Sequence, residues 1–203
     1  MAITYPLTFP TYNGKQPVKE FTMRLVNRTV LQKSPFTNKQ TVINYGHAWY
    51  EAEIKLSPLT GANAKNMSGF LQSLRGVKGT FKFTVPFQDG TGTSPPQGNV
   101  LATVTGAHTA GNDGLTLTIT NGTVAVGQQF NIGDHLYTAL QSRTTGTSGT
   151  IEITPPLREA LSGGETIDFT DPFIIFRLAE NETDYKVGVD SVHEFSIAVI
   201  EAI

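Results

Sequence analysis

The feature that most constrains this chain is apolar/polar alternation of period two, restarted many times after turn residues. HAWYEAEIKL, residues 47–56, puts Tyr50, Ala52, Ile54 and Leu56 on one side and Glu51, Glu53 and Lys55 on the other. TFKFTVPF, residues 80–87, puts Phe81, Phe83, Val85 and Phe87 on a single face, and Phe21, Met23 and Leu25 repeat the pattern. Such spacing builds half-buried antiparallel strands. With Gly 20 and Pro 11 in 203 residues, turns are plentiful, and the fold class is mainly β.

One segment breaks the rule. In SPLTGANAKNMSGFLQSLRG, residues 57–76, Met67, Phe70, Leu71 and Leu74 recur at helical spacing. A helix near 62–75 follows. Thr60 or Asn63 is expected to cap its start, Arg75 suits its C-terminal dipole, and Gly76 stops it.

Punctuation divides the chain. Residues 1–20 read as an arm or edge segment and QKSPFTNKQ, residues 32–40, as a loop. DGTGTSPPQG, residues 89–98, reads as a linker. Beyond it come short β runs at intervals of about ten residues, as in a small barrel or sandwich. PPLREALSGG, residues 155–164, is expected to hold one helical turn. After Asp171-Pro172, three strands close the chain. In the last, Phe195, Ile197 and Val199 share a face on which Glu201 breaks the apolar pattern. The economical organisation is an insertion: residues 1–88 and 172–203 form one β domain with a helix, and residues 97–171 a second β domain set into one of its loops.

Chemistry is sparse. There is no Cys, hence no disulfide or thiolate. MAITYPLTFP lacks the pattern of a signal peptide, and no run is long and apolar enough to insert in a membrane. His47, His108, His135 and His193 are scattered, so no metal site is expected. Gly146-Thr147-Ser148-Gly149 is not a nucleophile elbow. Glu51 and Glu53 beside Lys55 read as solvated charges. Trp49, Tyr50, Phe81, Phe83 and Tyr137 are either core or a sugar platform, with Tyr137 the candidate glycan contact. No catalytic residue or cofactor is assigned. The formal net charge of −2 hides an uneven spread. Residues 1–96 hold 11 Lys/Arg against 4 Asp/Glu, residues 97–171 hold 2 against 7, and residues 172–203 hold 2 against 6. Either this is incidental surface composition, or the halves attract neighbouring copies.

Two stretches resemble a known family. WYEAEIKLSPLTGANAKNMSGFLQSLRGVKGTFKF, residues 49–83, is similar to the first domain of distal tail proteins of long-tailed phages: an aromatic-bearing strand, a helix, then a Phe-rich strand. The later order Gly127, Gly133-Asp134, Leu136-Tyr137, Ile153, Pro155-Pro156-Leu157-Arg158, Gly164, Pro172 and Phe176-Arg177-Leu178 resembles tail-tip sequences of such phages. The resemblance covers roughly residues 45–203. It implies a tail-tube-like β-sandwich with one flanking helix, plus an inserted small barrel of the oligonucleotide/oligosaccharide-binding kind (OB-like). It implies a structural virion protein at the phage tail tip, assembled in the host cytoplasm. Six copies would form a ring between the tail tube protein and the tail hub protein, with genome DNA passing unbound through the lumen. No enzyme activity is implied. Lys78 and Lys82 are the candidate inter-subunit contacts in the basic part. The alternatives are another tail component (tube, terminator or hub-associated) and a host-glycan-binding module.

Overall fold

The computed structural model describes residues 3–86, 100–146, 148–182, 185–188 and 191–203, and it is mainly β with one α-helix. The linker expected at 89–98, the strand position Phe87 and the turn residue Thr147 lie outside the described residues. The chain forms two compact units. The first comprises residues 1–24, 50–95 and 171–203, and the second residues 25–49 and 96–170. No described helix is long and apolar enough to cross a membrane.

In chain order the elements begin with β1 (Leu7–Thr8), β2 (Val18–Lys33), β3 (Gln40–Leu56), α1 (Gly61–Leu74) and β4 (Thr80–Thr84). Strands β5 (Leu101–Val104), β6 (Gly114–Asn121), β7 (Thr123–Val124), β8 (Gln129–Ile132), β9 (His135–Ala139), β10 (Arg143–Thr144), β11 (Ser148–Thr154) and β12 (Thr166–Asp168) follow. The chain ends with β13 (Phe173–Leu178), β14 (Tyr185–Val187) and β15 (His193–Glu201).

The first unit is built on one sheet in the order β1-β4-β13-β15-β3-β2, with β14 alongside β15. Its inner face carries the residues that alternation marks: Tyr50, Ile54, Leu56, Phe81, Phe83, Phe195, Ile197 and Val199 are buried, as are Met67, Leu71 and Leu74 of α1. At a rough 1.5–3 kcal/mol for each large apolar side chain removed from water, this layer dominates the stability of the unit. The N-terminal segment belongs to the same core. Phe9, 1% exposed, meets Phe70, Phe83 and Phe81 at centroid distances of 5.5, 5.1 and 5.7 Å. Tyr5 and Tyr12 donate hydroxyl hydrogen bonds to the backbone carbonyls of Ser73 and Asn63. The arm is thus an edge segment tied to its own helix.

Helix α1 starts after Thr60, which has extended N-cap geometry but makes no side-chain capping bond. It ends differently from the expectation. Arg75, not a glycine, takes the left-handed position at φ 52°, and Gly76 continues left-handed into a single 3-10 turn, Gly76–Lys78. At the far end of the chain, Glu201 stays on the buried side of β15 at 7% exposure, where its carboxylate accepts the Tyr50 N–H at 2.9 Å. A buried carboxylate needs such a donor to offset lost hydration.

The barrel of the second unit closes in the order β11-β6-β5-β12-β8-β9. Leu115, Leu117, Ile119, Phe130, Ile151 and Ile153 fill it, and Phe130 lies 5.2 Å from Phe169. The expected helical turn at 155–164 is absent. Instead Leu157 is buried in the barrel core, and its backbone bonds to Asn112 and Gly111. Two prolines leave too few amide donors for a helical turn, and a buried side chain with paired backbone is the better outcome. First and last barrel strands are neighbours, with Thr103 opposite Thr166. The strands flanking the insertion are neighbours too, with Thr84 opposite Phe173. The barrel-forming segment therefore occupies the connection of a β4–β13 hairpin.

Candidate assembly surfaces

Strands β2 and β3 are far longer than their half-buried parts. The strand expected over residues 21–25 covers Val18–Lys33, and the one expected over 47–56 starts at Gln40. From Asn27 to His47 every residue except Ser34 is exposed. This outer ribbon carries Val30, Leu31, Phe36, Val42, Ile43 and Tyr45 in contact with solvent. The ribbon has its own internal order. Arg28 stands over the Tyr45 ring at 5.8 Å. Asn44 Oδ1 accepts the Gly46 N–H at 2.9 Å, and Gly46 sits in the left-handed region at φ 69°.

Its tip is tightly turned. Ser34 N–H donates to the Lys39 carbonyl at 2.9 Å, and Asn38 N–H to the Ser34 carbonyl at 3.0 Å. The Ser34 hydroxyl accepts the Thr37 N–H at 3.3 Å. Held this way, the Phe36 side chain is 94% exposed, between Lys33 and Lys39 in sequence. The outer ribbon, residues 25–49, contains Arg28, Lys33 and Lys39 and no Asp or Glu.

The polar face of the first unit's sheet is the second surface. Arg24 Nε donates to Glu51 Oε2 at 2.9 Å, and Lys55 Nζ lies 3.2 Å from Glu20 and 3.8 Å from Glu53. The hydrogen bond and charge of Glu20, with the charge of Glu53, raise the Lys55 pKa above its ordinary value. Glu51 and Glu53 thus each pair with a cation; Glu53 is exposed, as the solvated-charge reading expects, whereas the Glu51 side chain is only 25% exposed and is held by Arg24. Between these pairs and Ala198 and Ile200 runs an open groove of about 460 Å³.

The residues singled out by sequence lie apart. Lys78 is exposed in the 3-10 turn. Lys82 is exposed on β4, with its ammonium 3.4 Å from the centroid of Phe173. Tyr137 is 2% exposed in the barrel core, 6.0 Å from Phe130, and its hydroxyl accepts the Arg158 N–H at 3.0 Å. A ring so buried has no face for a sugar, so Tyr137 is a core residue and not a glycan contact. Among the described residues, no three His, Asp or Glu side chains gather as metal ligands would. Sequence reasoning missed the ribbon. Its clue was the apolar content of TVLQ and TVINY on either side of the loop.

Compared with known proteins, the chain matches no family model and no curated protein.

Proposed function

We propose that this protein is a structural ring subunit at the distal end of a phage tail, joining the tail tube protein to the tail hub protein. The observation that carries this is the exposed ribbon from Asn27 to His47, an extension of a sheet edge that exposes apolar side chains. A two-stranded ribbon is marginal in water on its own, and a long edge strand is a template for another chain. Repetition around an axis satisfies both needs, because each copy offers its ribbon and receives its neighbour's. The first unit, one helix on one sheet, fits a tail-tube-like domain whose sandwich is completed by adjacent copies. The closed barrel fits the OB-like insert of the same reading. In this role the work is shape: six copies enclose a lumen through which DNA passes without being bound.

Electron micrographs of the purified protein test the reading directly. Six-fold rings are the expected particles, and a uniform monomer with no rings beside tube protein would overturn it. The basic first part supplies a second test. Lys78→Glu should weaken assembly most at low salt, because exposed charge pairs are screened within about 10 Å at 0.1 M salt. Lys82→Glu is the less clean variant. It also removes the contact with Phe173, roughly 0.5–1 kcal/mol for an exposed cation over a ring.

A further inference from the structure

We propose that the ribbon tip of one copy seats in the sheet-face groove of the next copy, with Phe36 as the anchor. The inference deepens the ring reading and rests on it only for closure, since the same contact could also build an open fibre.

Three observations converge on it. First, Phe36 is an aromatic side chain held out at 94% exposure by a turn whose own hydrogen bonds fix its shape. Aromatic anchors of this kind carry a large share of binding energy when they fill a pocket, and a pre-formed turn spares the cost of ordering it. Second, the groove can take such an anchor. Ala198 and Ile200 give it an apolar part, small side chains leave room, and its volume of about 460 Å³ lies in the range of binding pockets. Third, the charges match. The ribbon carries Arg28, Lys33 and Lys39 without an acid, while the ion-paired cluster along the groove, Glu20, Glu51 and Glu53 with Arg24 and Lys55, keeps one carboxylate in excess. A cationic tip is steered toward this acidic excess and away from the cationic ribbons of other copies. Anchor and groove are different surfaces of the same chain, so the contact is heterologous.

The chain has no cysteine, so introduced cysteines report the contact without background. Phe36→Cys carrying one affinity tag is mixed with Ala198→Cys carrying another, under mild oxidation. A disulfide-linked peptide pair joining positions 36 and 198 across the two tags is expected, because a disulfide forms only when the Cα atoms approach within about 7 Å. In parallel, Phe36→Ser should weaken self-association about tenfold or more by sedimentation. Circular dichroism should stay unchanged, since the side chain contributes nothing to the core. Rings that form without the 36–198 link, and with unchanged affinity in Phe36→Ser, would overturn the docking and leave the ring reading standing. Monomers at every concentration would overturn both. A monomer whose ribbon binds duplex DNA, with binding lost in Phe36→Ser, would overturn the docking in favour of a nucleic-acid wedge.

Discussion

At the scale of single residues, the turn at 161–165 concentrates the clearest constraints in the barrel. Gly163 has φ 95°, and a Cβ there would stand 3.0 Å from the backbone N and O of Gly106. Backbone cannot yield as a side chain tip can, so Gly163→Ala meets strain and crowding together. A loss of roughly 1–3 kcal/mol is expected, seen as a lower urea midpoint. Two residues on, the Glu165 carboxylate accepts the N–H groups of Ser162 at 2.7 Å and Gly163 at 2.9 Å. These backbone hydrogen bonds lower its pKa below the ordinary 4.5. A carboxyl with a depressed folded-state pKa adds stability above its unfolded value, and that share is lost as pH falls through the folded value. Glu165→Gln cannot titrate. The difference in urea midpoint between wild type and Glu165→Gln should therefore shrink as acidity increases below pH 4.5. A difference that is constant with pH would refute the assignment.

At the scale of elements, what the sequence made legible is what burial makes periodic. The inner faces of β3, β4 and β15 and the stripe on α1 were readable because each packs one side against a core. The outer halves of β2 and β3 were not, because strands exposed on both faces have no reason to alternate. The helix stop was misjudged for another reason. Arg75 at φ 52° is a position that chain pattern assigns to the glycine beside it. PLTFPTY, residues 6–12, alternates only over Leu7-Thr8-Phe9, a run too short to mark a strand, yet it delivers Phe9 to the centre of the aromatic cluster. Truncating that one side chain tests whether the segment is structural or a mere tail. Phe9→Ala should cost the first unit about 3–5 kcal/mol, as for a buried Phe elsewhere, read as an earlier loss of the helix signal while the barrel's own transition stays in place. A loss below about 1 kcal/mol would mean that the strap adds little to the sheet.

For the molecule as a whole, the central question is whether the barrel is an autonomous piece. Its first and last strands are paired to each other, so the segment leaves where it begins, and so do the host strands β4 and β13. That is the geometry in which insertion into a hairpin connection disturbs neither partner. The compact unit that contains the barrel also takes in residues 25–49, which are outside the inserted segment. Those residues are nearly all exposed, however, and the buried residues from Val100 to Phe169 fill the barrel by themselves. A closed barrel has no free edge to aggregate through. Residues 97–171 expressed alone should therefore be monomeric, with a β circular dichroism spectrum and one cooperative thermal transition. Their midpoint should fall when Gly163→Ala is introduced, as in the full chain. If the piece is instead unfolded, and adding a peptide of residues 25–49 restores the transition, the ribbon is part of the barrel's fold. It could then not be spent on docking to another copy.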